Sequence, residues 1–159
     1  MIRGTMENVK EILAESIFEV FERMFFIFLE PGGAAPVHDC ETAIRFDGPR
    51  RGTLRIRLGR PVAKLMVRNM LGLENGAVTE PHMADCVKEA ANMVCGNFLV
   101  HWDASKKFTM SLPEFSASPG RTPAAPRDAV TFDFDCEAGK VGVVLEMEGE
   151  GQRAEGRGF

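Results

Sequence analysis

No Cys-x-x-Cys pair and no zinc-finger spacing links the four cysteines, Cys40, Cys86, Cys95 and Cys136. Their scatter argues against a metal finger or a redox pair, and they are expected to be reduced, mostly buried thiols. Long apolar runs are missing too: the longest, Met24 to Leu29, is six residues, against the roughly 20 that a membrane-spanning helix needs. No basic-then-apolar block ending in a small-residue cleavage site opens the chain, so a cytoplasmic location is expected. Neither sign of charge dominates; the net charge is -4, which argues against a general binder of nucleic acid or anionic membrane. Gly-x-Ser-x-Gly, a phosphate-binding glycine loop and His-Glu-x-x-His are all absent. His38, His82 and His101 share no spacing that suits a ligand set or a relay, so structural or surface roles are expected.

What remains is an ordinary globular composition. The chain has 159 residues, 45% of them hydrophobic, enough for one domain with a real core. Residues 1–159 are therefore read as a single domain, with the glycine-rich 149–159 as a tail. Ile12, Leu13, Ile17, Val20, Phe21, Met24, Phe25 and Phe28 recur at helical spacing, which predicts an amphipathic helix over 7–30 stopped by Pro31-Gly32-Gly33. Residues 42–46 and 53–58 read as a β-hairpin turned at Asp47-Gly48-Pro49, because Leu54, Ile56 and Leu58 alternate with Arg55 and Arg57. Pro61 suits a first helical turn, and Val62, Leu65, Met66 and Met70 extend that helix to Gly72.

Glu74-Asn75-Gly76 is a short linker, and Thr79 is a plausible N-cap for a third helix. Strands are predicted at 107–112, 130–135 and 141–147. The Pro-, Ala- and Ser-rich stretch 116–127 reads as a mobile loop. Arg50, Arg51, Arg55, Arg57, Arg60, Lys64 and Arg68 cluster in sequence; an outward sheet face explains most of them, and a docking patch for an acidic partner is the other reading. Asp128, Asp133 and Asp135 suggest either a carboxylate cluster or, for the last two, the outward side of a strand. Trp102 is read as a packing residue.

The third helix carries the most informative spacing. At 100° per residue, Asp85, Glu89, Asn92 and Gly96 fall within a stripe about 60° wide, while Met83, Val87, Ala90, Val94 and Phe98 take roughly the opposite side. A glycine inside a helix costs roughly 1 kcal/mol against alanine, and a merely wet face would be better served by Lys, Gln or Ala. By spacing alone, the stripe suits either a functional site or a solvated face with a helix end at Gly96-Asn97.

Asp85-x-x-x-Glu89-x-x-Asn92-Met93, followed by Gly96-Asn97, resembles the motif of the CheC/CheX/FliY family of bacterial chemotaxis phosphatases. The family's motif also has a distal proline, for which Pro113 is the candidate, at a somewhat shorter spacing from Asn92. The residues around Glu19 and Glu89 also align, which carries Phe28-Leu29 onto Phe98-Leu99 and puts Glu22 in the place of Asn92. The Glu/Asn pair thus occurs only in the second half, which is more like CheX than CheC.

The resemblance implies an α+β fold, a pseudo-twofold repeat of helix plus β-hairpin around an antiparallel sheet packed with helices. It also implies hydrolysis of the phosphoaspartate of a CheY-like response regulator. Asn92 would position the attacking water and Glu89 would dock the regulator, these two being the catalytic pair. Asp85 and Gly96 would meet the partner. The chain would need no cofactor of its own; Mg2+ would belong to the regulator. A homodimer is implied as well. The alternative is a non-catalytic adaptor that binds a response regulator or a flagellar-switch component.

Overall fold

The structure, a computed structural model, describes residues 6–105, 107–117 and 120–148. The glycine-rich tail at 149–159 lies outside them. Helix α1 (Met6–Met24) buries Val9, Ile12, Leu13, Ile17, Val20 and Phe21 on one side. It ends six residues before the predicted boundary. From Phe25 the chain leaves the helix and its burial alternates: Phe25 and Ile27 are fully buried, whereas Phe26 and Phe28 are 63% and 71% exposed. Phe26 takes a left-handed φ of 54°, and the Ile27 N–H reaches back 2.9 Å to the Phe21 carbonyl. An all-apolar run satisfies helical and strand periodicity equally. The tie is broken by β1 (Glu30–Pro31), which pairs with the edge of the sheet.

Short β2 (Val37–His38) precedes the hairpin β3 (Cys40–Asp47) and β4 (Gly52–Leu58). Helix α2 (Arg60–Leu71) has proline in its first turn and closes on Gly72, whose φ of 70° favours glycine. The Glu74-Asn75-Gly76 linker contributes to a single 3-10 turn at Asn75–Ala77. Helix α3 (Glu80–Trp102) starts on Thr79. Its hydroxyl accepts from the His82 N–H at 3.3 Å, and His82 Nδ1 accepts from the Thr79 N–H at 3.2 Å. That reciprocal pair is a capping box in which histidine stands where glutamate is usual.

After α3 come β5 (Thr109–Met110), β6 (Glu114–Ser116), β7 (Gly120–Arg121), β8 (Val130–Cys136) and β9 (Gly139–Met147). The strand predicted at 107–112 is thus cut to the two residues of β5, and β6, beyond Pro113, was not foreseen; Pro113 between them has no N–H to give a ladder. The predicted 116–127 loop contains β7, which pairs with β2.

One sheet runs in the order β1-β8-β9-β4-β3-β5, with β6 also on β3. The two hairpins meet along the β4–β9 pair, with Ile56 opposite Val143. The strand after α1 joins β8 of the second hairpin, and the strands after α3 join β3 of the first. Each half therefore lends an edge to the other, as a pseudo-twofold repeat requires. Helices α1 and α3 pack together, and α3 also lies against β3, β4 and β6. Val87, Ala90, Val94 and Phe98 are buried to within 1%; the larger of such side chains contribute about 1.5–3 kcal/mol each. Trp102 stacks between Phe98 and Phe108, with ring centroids at 5.2 and 5.6 Å, as a packing residue should.

The arginines of β4 face outward and are paired. Arg57 meets Glu41 at 3.0 Å, while Arg55 meets Glu146 at 3.4 Å and Glu41 at 3.8 Å. Arg51 reaches Asp47 and Glu148, each at 3.6 Å, and Arg60 pairs with Glu80. This part of the basic cluster is internally neutralised, which favours the sheet-face reading over a docking patch.

Candidate functional site on helix α3

Helix α3 runs six residues past Gly96 to Trp102, so Gly96-Asn97 is no helix end. The glycine is interior and carries its full propensity cost. Asp85 is exposed; Glu89, Asn92 and Gly96 are half-buried on the same face. The segment between β5 and β6 supplies the opposite wall. Leu112, 87% exposed, and half-buried Pro113 line an open groove with Asp85, Lys88, Glu89 and Asn92. The structure thus brings three of the four predicted side-chain positions together with Pro113. Gly96 lies one turn further along, under Met110 of β5, whose Cε would be 3.9 Å from a Cβ built there.

Lys88 and Leu112 are the groove residues that the sequence reading missed. The spacing from Lys88 to Asn92 is four residues, one helical turn, so the lysine was visible as a neighbour of the amide. Leu112 had no such signal, since its position depends on the β5–β6 break.

Among the described residues, Asp85, Lys88, Glu89 and Asn92 make no side-chain hydrogen bond or ion pair. The half-buried amide opens onto the groove and keeps its hydrogen-bonding capacity for a partner. Lys88 and Glu89, on the preceding turn, line the same groove. The amide can donate and accept at once. Burial pushes the Cys86 thiol up, and the nearby charges of Asp85 and Glu89 add to that; burial alone pushes Cys95 up to about 12. Neither cysteine of α3 is a nucleophile at neutral pH.

The face of α1 that the alignment of the two halves matches to this stripe carries Glu15, Glu19 and Glu22, all exposed. Glu19 pairs with Arg23 at 3.6 Å. No amide occupies the Asn92 position there. The histidines are structural: His82 caps α3, His101 Nδ1 lies 2.7 Å from the Asn97 carbonyl, and His38 Nδ1 lies 3.2 Å from Thr122 Oγ1. Asp135 pairs with Lys140 at 2.6 Å on an outward strand face. Among the described residues no group of three or more His, Cys, Asp or Glu is arranged to hold a metal ion. No helix among them is long and apolar enough to cross a membrane.

Known structures share this architecture. The chemotaxis protein CheX from Vibrio vulnificus superposes with a TM-score of 0.76 at 22% identity, over 88% of this chain and 96% of that one. A CheC-like superfamily protein from Shewanella sp. PV-4 gives 0.74 at 22% identity, over 91% and 100%. The CheX-CheY-BeF3-Mg2+ complex from Borrelia burgdorferi gives 0.70 at 15% identity, over 87% and 97%. No curated protein matches in sequence. The family model described as chemotaxis phosphatase CheX matches residues 41–137. That span is more than half of the chain and holds the whole Asp85–Asn92 stripe and Pro113, so the chain belongs to the CheX family of chemotaxis phosphatases.

Proposed function

We propose that this chain hydrolyses the phosphoaspartate of a CheY-like response regulator, with Asn92 positioning the attacking water and Glu89 docking the regulator. The observation that carries the reading is the unpartnered amide and carboxylate, one turn apart on α3 and facing Pro113 across an open groove. A shallow groove suits a substrate that is itself a folded protein. The Borrelia relative occurs in a complex with CheY, BeF3 and Mg2+, which supports the choice of substrate.

In the reaction, water attacks phosphorus, the bond from phosphorus to the aspartyl oxygen breaks, and inorganic phosphate leaves a free carboxylate behind. Phosphoryl transfer asks mainly for alignment and charge placement. The Asn92 carboxamide holds the water in line without consuming a proton. Glu89 is ill suited to stand against an anionic phosphoryl group. It pairs instead with a cation of the regulator and sets the docking angle. Asp85 contacts the rim, and Gly96 leaves room for close approach. Mg2+ belongs to the regulator, whose own residues bind it. A homodimer in the cytoplasm completes the reading, and the four free thiols fit a reducing compartment.

The test is phosphate release from several phosphorylated CheY-like proteins, with and without the chain. Acceleration for at least one of them is expected. Stable binding to the phosphorylated regulators without acceleration would replace the enzyme by an adaptor. Sedimentation checks the dimer.

A further inference from the structure

A second polar arrangement lies on the outer face of the sheet. Gly142 of β9 is the register partner of both Arg57 in β4 and Asp133 in β8. The three therefore stand in one row across adjacent strands, on the face opposite to the neighbouring row Leu58, Val141 and Phe134, which is buried. Gly142 leaves the middle of the row without a side chain. A Cβ added there would meet Asp133 Oδ1 at 3.5 Å and the Arg57 carbonyl oxygen at 3.9 Å.

A cavity of about 630 Å³ stands over this row. Its roof is apolar: Ala34, Ala35 and Pro36 from one segment, Pro123, Ala124 and Ala125 from another. The β2–β7 pairing and a 2.9 Å bond from the Thr122 N–H to the Pro36 carbonyl hold the two segments together. Val144 points outward from β9 beside this row yet is 2% exposed, so the outer face is covered here.

Two of the four charged residues that line the cavity are engaged elsewhere. Lys140 binds Asp135 at 2.6 Å, and Asp39 accepts from the Arg60 N–H at 2.8 Å. Two are open. The Arg57 side chain is only 10% exposed and gives Nε to Glu41, which leaves its two terminal nitrogens without a hydrogen-bond partner among the described residues. The Asp133 carboxylate likewise has no hydrogen bond or ion pair among them. A sheltered guanidinium edge and a carboxylate, held apart by a glycine, fit a ligand with both charges. An anion alone would leave Asp133 unpaired beside it, and a cation alone would leave the arginine edge unused.

We propose that this cavity binds a small apolar α-amino acid as its zwitterion, the carboxylate on Arg57, the ammonium on Asp133 and the side chain under the Ala/Pro roof. Two parallel N–H···O bonds from the terminal nitrogens give the carboxylate end its geometry. The site is separate from α3, and its failure would leave the phosphatase reading untouched.

Calorimetric titration of the intact chain with L-valine tests it. Saturable binding is expected. Isovalerate, which lacks the amine, and L-valinamide, which lacks the carboxylate, should each bind more than about tenfold more weakly. Arg57→Gln and the isosteric Asp133→Asn should each weaken L-valine by more than about tenfold, with melting temperatures confirming that both variants fold. Equal binding of L-valine and isovalerate would reduce the cavity to an anion site and overturn the proposal. So would an Asp133→Asn protein with unchanged affinity, or no saturable binding of L-alanine, L-valine and L-leucine at millimolar concentration.

Discussion

Met110 of β5 lies over Gly96 of α3, its Cε 3.9 Å from where a Gly96 Cβ would stand. That is ordinary van der Waals contact, so the chain's own packing does not demand glycine there. Gly96→Ala should raise stability by up to about 1 kcal/mol through helix propensity, measured by urea denaturation. Gly96→Leu should fold and yet lose affinity for the phosphorylated regulator, because its side chain fills the approach. Unchanged affinity in a folded Gly96→Leu protein would remove the glycine from the interface.

Asn92→Ala should cut phosphatase activity on the order of 100-fold or more, the usual cost of one positioned hydrogen-bonding group. The side chain is half-buried with no hydrogen-bond partner among the described residues, so its loss strands nothing in the chain and the fold should hold. Phosphate release by the folded variant is the measurement, and near-normal activity would refute the assigned role.

Glu89→Ala should weaken docking more than it slows the docked complex, seen as a rise in KM larger than the fall in kcat. A charge contact at an interface also predicts that salt lowers wild-type activity, and lowers that of the variant less. If regulator affinity is the same with and without the carboxylate, Glu89 does something else.

In the sequence alignment of the two halves Glu22 takes the place of Asn92, but it carries a charge and no amide donor. Glu22→Ala should retain activity and stay within roughly 0.5 kcal/mol of wild-type stability, as exposed substitutions do. Glu22→Asn in an Asn92→Ala background asks whether the first half keeps a working geometry. Collapse of activity in Glu22→Ala alone would show that the α1 face takes part.

Stability should fall at alkaline pH. Burial pushes the Cys95 thiol from its ordinary 9.0 up to about 12, and burial also raises Cys40 and Cys86. The folded state thus keeps a proton that the unfolded chain releases, and the stabilisation present below pH 9 is lost between pH 9 and about 12. For one such group the slope approaches roughly 1 kcal/mol per pH unit. Urea titrations across that window should show a shallower decline in Cys95→Ala than in wild type. Equal slopes would mean that Cys95 is not the group responsible.

Short-range pattern was enough for much of this protein. The Asp85–Gly96 stripe, the caps at Thr79 and Gly72 and the alternation of β4 depend on residues within a few turns of one another, where helix and strand periods dictate which side chains share a face. Helix α3 could therefore be drawn with its apolar side toward the core and its amide and carboxylate outward before any contact was known.

Tertiary structure decided what local pattern left even. Phe25 to Leu29 fits a helix or a strand, and only the open edge of β8 draws it out of the helix. Pro113 and Leu112 lie far along the chain from Asn92, and β3, by pairing with both β5 and β6, brings them to the α3 groove. The row Arg57, Gly142 and Asp133 exists because three strands share one register, and a slip of one residue would turn its members to opposite faces. Sequence determined the faces of the elements, because those follow from backbone geometry. Which faces meet was decided by packing and strand register, which depend on contacts between distant parts of the chain.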